Sequence, residues 1–185
     1  MTHRVCPYWV GYFLASPLRR VVHNPEKILR PFVTPAMTAL DIGSAMGFFT
    51  LPLALMVGPY GKVVAIDVQE KMLRSLQRRA HEARLSDRII TRLCTPTSLS
   101  VGEFNGSIDF AIAFAVVHEV PDAGLFFADI SQLLKSGAKC LIAEPKGHVS
   151  KNDFKQTLSI AEQAGLRVVG NAKIFRCHTA LLGKD

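Results

Sequence analysis

The stretch ALDIGSAMGFFTLPLA, Ala39 to Ala54, decides the fold. An apolar run from Thr38 to Ile42 reads as a buried strand, the cluster Gly43 to Gly47 as a turn, and the apolar residues beyond it as a helix running to about Val57. Pro52 fits that helix only within its first turn, where its missing N–H has no partner to lose. Two ligand classes are excluded by the turn. The dinucleotide fingerprint G-x-G-x-x-G needs a register that Gly43, Ala45 and Gly47 do not supply, because Phe48 follows at once. A Walker A loop would need G-K-[ST], which is absent. Asp41 adds a physical objection, since a carboxylate at the strand end repels a pyrophosphate that has no cation between them. An acid here suits a ligand carrying positive charge and no phosphate.

The rest of the chain extends the pattern. Strands are expected at Lys62–Asp67, Arg88–Leu93, Ile108–Ala113 and Lys139–Ala143, with a final hairpin-like pair at Arg167–Asn171 and Ile174–Leu182. Helices are expected at Pro25–Arg30, capped by Asn24, and at Glu70–Arg84, Ala123–Leu134 and Asn152–Ala164. Met72, Leu73, Leu76 and Ala80 mark the buried stripe of the second of these, and Leu125, Phe126, Ile130, Leu133 and Leu134 that of the third. Near-continuous apolar strands alternating with helices predict a parallel sheet covered on both faces, with its ligand at the carboxyl ends of the strands near a topological switch point.

Composition bounds the function. The chain has 185 residues, 49% of them hydrophobic, which is enough for one well-buried domain and no candidate for disorder. No apolar run approaches the ~20 residues of a membrane span, and the apolar start near Val5–Ala15 is broken by Pro7 and Gly11 and lacks a cleavage site. Cys6, Cys94, Cys140 and Cys177 are widely spaced, with no C-x-x-C pair, so neither a zinc site nor a redox motif is expected. Free thiols favour the cytoplasm. The net charge is +7, concentrated in Arg4–Arg30 and Lys71–Arg92. Because Lys71, Arg74, Arg78 and Arg79 lie off the apolar stripe of a helix and no aromatics interleave with them, they read as a solvated face more readily than as a nucleic-acid surface.

The loop DIGSAMG resembles the first motif of class I S-adenosylmethionine-dependent methyltransferases. Asp67, closing the second strand, resembles the family's ribose-binding acid. IDFAIAFAVVHEVPD resembles its fourth-strand motif, and LLKSGAKCLIAEPKG the run into its fifth strand. The resemblance spans residue 25 to the C-terminus. It implies a doubly wound, Rossmann-like α/β sheet of seven strands with the last antiparallel, in a single domain over 36–185. The aromatic residues Tyr8, Trp9, Tyr12 and Phe13 of the segment 1–35 read first as packing onto the sheet's helices and otherwise as a cover over the substrate. The resemblance further implies S-adenosylmethionine as cofactor. Its methionine end would lie near Asp41 and Gly43, with the backbone of Ser44, Ala45 and Gly47 close by and Phe48 as a wall. Asp67 would hold the ribose, and Val68 and Met72 would lie against the adenine. Cys94 and Thr95 stand where the family often has an Asp facing the adenine amino group, and Phe114 would line the methyl-transfer region.

Ala45 stands where many such loops carry a third glycine. With negative φ it costs little; with positive φ it costs roughly 1 kcal/mol or more. If the acceptor must lose a proton, His118 is the first candidate base, with Glu144 a second and Glu119, Lys146 and His148 behind them. The expected acceptor is a small molecule, since no separate substrate domain is visible. An RNA or protein acceptor is disfavoured because AFAVVHEVPD replaces the Asn/Asp-Pro-Pro-Tyr/Phe of nucleic-acid N-methylating relatives. A protein that only binds the cofactor is the remaining alternative. The acceptor atom and oligomeric state are not encoded in these motifs.

Overall fold

A computed structural model describes residues 22–185. Cys6 and the aromatic residues Tyr8, Trp9, Tyr12 and Phe13 lie outside the described residues. The chain runs α1 (Pro25–Leu29), β1 (Thr38–Ile42), α2 (Thr50–Val57), β2 (Lys62–Asp67), α3 (Glu70–Glu82), β3 (Ile89–Leu93), β4 (Ile108–Phe114), α4 (Ala123–Leu133), β5 (Leu134–Pro145), α5 (Lys151–Gln163), β6 (Leu166–Gly170) and β7 (Cys177–Lys184). The strands form one sheet in the order β3-β2-β1-β4-β5-β7-β6. All neighbours are parallel except β7, which runs against both β5 and β6. The chain winds outward from β1 to β3 and then returns to β4 on the other side of β1. The loops leaving β1 and β4 therefore diverge, and a crevice opens at the carboxyl ends of these two strands.

Strand alternation sorts the core. Leu40, Ile42, Val64 and Ile66 face one layer with Phe127 and Ile130 of α4 and Phe154 of α5. Ala39, Val63, Phe110 and Ile112 face the other, with Leu53 and Val57 of α2, while Ala65 meets Leu73 and Leu76 of α3. Both faces of β1, β2 and β4 are buried, while the edge strand β3 is half-buried to exposed and the edge strand β6 is largely exposed. Asn24 caps α1 by accepting from Lys27 N, as expected. Pro52 is the third residue of α2, within its first turn. Among the described residues no helix is long and apolar enough to cross a membrane.

Four expectations fail locally. The helix expected to Arg84 stops at Glu82, because Arg84 turns left-handed (φ 57°) and Leu85 N bonds back to Ala80 O. The helix expected to Leu134 ends at Leu133, because Leu134 is already paired with Ile108 and the strand bends through Gly137 at φ 75° before resuming. On α4 the buried face is Phe126, Phe127, Ile130 and Leu133, so Leu125 stands 51% exposed where a core residue was expected. At the last strand, Arg176 at φ 56° delays β7 to Cys177.

Candidate functional site

The turn after β1 uses left-handed backbone at Gly43 (φ 69°), Ala45 (φ 46°) and Gly47 (φ 87°). Ala45 thus adopts the costly alternative of the two expected for it. Its compensation is specific: the left-handed turn aims Ala45 N at the Asp67 carboxylate, which accepts it at 2.9 Å. The two glycines are demanded by packing. A Cβ on Gly43 would lie 2.4 Å from Val116 Cγ2, and one on Gly47 would lie 2.4 Å from Leu76 Cδ1. Gly47 therefore fits the turn against α3 and does not itself line the cavity. Arg79, expected on a solvated face, reaches back from α3 to donate to Met46 O and fixes the turn from beneath.

This turn forms one wall of a cavity of about 670 Å³, inside the size range of small-molecule sites. Of the residues expected to hold a cofactor, Asp41, Gly43, Ser44, Ala45, Phe48, Asp67, Val68, Met72, Cys94, Thr95 and Phe114 all border it. Asp41 is buried and accepts from Thr50 Oγ1 at 2.5 Å, a partner the sequence reading missed. Asp67 is buried too, accepting from Ala45 N and, at 2.8 Å, from Gln69 N. Burial raises its carboxyl above the ordinary range, and these backbone donors pull it partly back. A carboxylate offers about four acceptor positions, so Asp67 retains capacity toward the cavity. Cys94 is pushed up to about 12, first by burial and then by the charge of Asp67, so it is a protonated thiol. Thr95 closes a tight turn through Ser98, and Leu99 N is held by Asp129 of α4 at 2.9 Å. Asp129 is an ordinary helix position that carries no sequence signal for this role.

At the opposite end stands His118, in a short 3₁₀ turn after β4. Glu144, the penultimate residue of β5, lies underneath it, 1% exposed and outside the cavity lining. One carboxylate oxygen accepts from Val116 N at 3.1 Å and Val117 N at 2.8 Å; the other meets His118 Nδ1. That contact raises the His118 pKa above its ordinary value, against the opposing effect of burial, with the Glu144 and Glu119 charges adding to it. With Nδ1–H committed to Glu144, the Nε2 lone pair of the neutral ring is left to face the cavity. There His148 Nδ1 lies 3.4 Å away and Glu119 Oε1 4.0 Å away. Glu144 is therefore a positioning residue, and His118 alone of the pair borders the cavity. His148 is exposed, as expected, yet it also borders the cavity.

The residues suit the cofactor that the loop motif implies. Ser44 Oγ is buried without any partner, an orphaned polar atom inside the loop. Two carboxylates, Asp41 and Asp67, border the same space beside the apolar Val68, Met72 and Phe48. A ligand with hydroxyl and cationic groups on an apolar ring system satisfies all of them.

Sheet order, switch-point cavity and acidic strand ends together define a class I S-adenosylmethionine-dependent methyltransferase. The chain belongs to the methyltransferase-domain family, whose model matches residues 33–174. An S-adenosylmethionine-dependent methyltransferase of Aquifex aeolicus is similar at 25% identity and TM-score 0.85, covering 96% of this chain and 98% of that one. A phosphoethanolamine N-methyltransferase of Haemonchus contortus, solved with S-adenosylhomocysteine, shares the fold at 22% identity and TM-score 0.59, covering 77% of this chain and 36% of that one. A wheat protein-L-isoaspartate O-methyltransferase is 37% identical over 61 residues, 33% of this chain and 26% of that protein. The chain spans 26% to 31% of the length of the curated relatives it matches.

Proposed function

We propose that this chain transfers a methyl group from S-adenosylmethionine to a small acceptor whose nucleophile loses a proton to His118. The observation that carries this is that one cavity is bordered both by Asp41, Ser44 and Asp67 and by His118, which Glu144 holds from outside the lining. When bound, the cofactor supplies an electrophilic methyl group on a sulfonium. Asp67 holds the ribose, Val68 and Met72 bracket the adenine, and Cys94 and Thr95 take the adenine edge. Asp41, kept in place by Thr50, faces the cofactor's positive end. Phe48 and Phe114 exclude water.

His118 takes the acceptor's proton at Nε2. Glu144 holds the ring in the Nδ1–H tautomer and stabilises the imidazolium that forms, the division of labour between an imidazole base and its buried carboxylate. Val22 and His23 border the cavity, and His23 stands edge-on to Phe114 at 5.2 Å. This supports residues 1–35 as a cover over the acceptor, with the cofactor-binding domain in 36–185. Free Cys94, Cys140 and Cys177 suit a cytoplasmic setting. A nucleic-acid acceptor is disfavoured by the pairing of Arg74 with Glu70, Arg78 with Glu82 and Arg92 with Glu103.

Calorimetric titration of S-adenosylmethionine tests the reading. Micromolar binding is expected, weakened at least about tenfold in Asp67→Ala through loss of a charge-assisted bond. No binding, or binding undiminished in that variant, refutes it.

A further inference from the structure

An adenine ring carries an exocyclic amino group, and a site that selects it needs a hydrogen-bond acceptor at that edge. The end of β3 does not offer one. Cys94 is a protonated thiol and a weak acceptor. The Thr95 hydroxyl turns back into its own loop, toward Ser98 O at 3.4 Å and Thr97 Oγ1 at 3.5 Å. Thr95 N donates to Ser98 O across the same turn, and Ser98 Oγ accepts from Ser100 N at 3.2 Å. The loop thus satisfies itself. Across from it stands α4, where Asp122, Phe126 and Asp129 recur on one face and all border the cavity. Asp129 is half-buried, and its Oδ2 accepts from Leu99 N at 2.9 Å, which pins the far end of the loop to the helix. Among the described residues nothing donates to its Oδ1.

Resting on the placement of the adenine beside Cys94 and Thr95 proposed above, we infer that Asp129 is the residue that selects the cofactor's base: Oδ1 accepts from the exocyclic amino group while Oδ2 holds Leu99 N. One carboxylate thereby positions the loop that runs from Cys94 to Leu99 and reads the edge of the ring lying against it. The Leu99 bond gives the reading its precision. With Oδ2 fixed on a backbone donor, the carboxylate cannot turn freely, and the open oxygen keeps one place beside the cavity. An amino group meets that oxygen with a proton. The 6-oxo group of a hypoxanthine meets it with a second oxygen and no proton between them, which is repulsive. A purine with hydrogen at that position leaves Oδ1 without a donor but adds no repulsion. The site should therefore rank the three bases in that order, with the amino base first, the hydrogen-bearing base second and the 6-oxo base last.

The test titrates the full chain by calorimetry with S-adenosylhomocysteine, with its 6-oxo counterpart S-inosylhomocysteine, and with the counterpart that has hydrogen in place of the amino group. The native chain is expected to bind the adenine ligand at least about tenfold tighter than the 6-oxo ligand, the value of one hydrogen bond to a charged acceptor. Asp129→Asn keeps an oxygen for Leu99 N, and that donor turns the amide NH₂ toward the ring. A donor then faces the amino group, so the adenine ligand should weaken at least about tenfold while the 6-oxo ligand holds or gains, and the preference between them shrinks or inverts. Asp129→Ala removes the reader altogether and should bring the two affinities together; it carries the test if thermal unfolding shows Asp129→Asn misfolded. A merely structural Asp129 would weaken all three ligands alike, and unchanged ratios in the folded variants overturn the inference. So does a native chain that binds the 6-oxo ligand as tightly as the adenine one. A native chain that binds none of the three overturns the cofactor placement and the inference with it, whereas native binding that Asp67→Ala weakens, with ratios untouched at Asp129, overturns the inference alone.

Discussion

Substituting Glu144 by Gln isolates what the buried carboxylate does for His118. In the native protein one Glu144 oxygen accepts from Val116 N and Val117 N while the other meets His118 Nδ1. Gln retains the oxygen for the two backbone donors, so the local chain path is kept. Its amide NH₂ then points at Nδ1, and a donor facing a donor is unfavourable. The ring answers by moving its proton to Nε2, which leaves the lone pair on Nδ1 and removes the acceptor from the cavity. The carboxylate contact that raises the His118 pKa is lost as well, so the ring should titrate lower than in the native protein.

Loss of a positioned base costs about 10²–10⁴ in rate, which is about 2.7–5.4 kcal/mol on the barrier at 1.36 kcal/mol per decade. Two measurements check this. Release of S-adenosylhomocysteine with an acceptor that arrives protonated should fall by that factor, while calorimetry shows cofactor affinity unchanged within about twofold, because Gln keeps both backbone bonds that set Val116 against Gly43. Nitrogen-15 NMR of the imidazole should report the Nδ1–H tautomer and a raised pKa in the native protein, and the Nε2–H tautomer with a lower pKa in the variant. A native His118 that titrates at its ordinary value, or a variant with unchanged tautomer and rate, refutes the reasoning.

Other substitutions probe the loop and the linkage to pH. Ala45→Gly should raise stability by about 1 kcal/mol, because relief of the left-handed alanine outweighs glycine's extra entropy cost; differential scanning calorimetry should show Tm higher by about 2–4 °C. Gly47→Ala should destabilise by about 2–4 kcal/mol, since the added methyl meets Leu76 Cδ1 at 2.4 Å on backbone already at φ 87°; a Tm within one degree of native would contradict it. Thr50→Val removes the hydroxyl that donates to buried Asp41 and should cost about 1–3 kcal/mol in urea denaturation. For His118 the folded pKa is raised, so the ring binds its proton more tightly in the native state than in the unfolded one. Its contribution is complete below the unfolded value near 6.5 and is lost as pH rises through the folded value. The stability advantage of the native protein over His118→Gln should accordingly shrink across that window; an advantage that grows with pH would be the contrary outcome.

The alternation of strand and helix was legible because the central strands are buried on both faces and most turns carry glycine or proline. Thr38–Ile42 and Lys62–Asp67 are found where the residues place them. Element ends were less legible where a non-glycine residue turns left-handed. Arginine does not signal that turn; at Arg84 the helix closes on itself through Leu85 N and Ala80 O, and at Arg176 the carbonyl accepts from Lys146 N. Within the site, most expected residues border one cavity because they sit on consecutive strand ends, which topology brings together. What stayed hidden depends on side-chain reach: Thr50 on Asp41, Arg79 on Met46 O and Asp129 on Leu99 N. The dihedral of Ala45 was likewise invisible, since alanine is compatible with either sign of φ and only Asp67, 22 residues on, fixes it.

One line of contacts ties the two ends of the cavity together. Glu144 holds Val116 by its backbone N–H, and Val116 Cγ2 fills the space that a side chain at Gly43 would need. The carboxylate that holds His118 thereby also sets how closely the β4 loop presses on the turn after β1. A replacement of Glu144 that cannot accept from Val116 N leaves a gap or a clash at Gly43. The two positions are therefore free to drift only as a pair, and acceptor range in this scaffold should diversify through other residues that border the cavity beside His118, such as Val120.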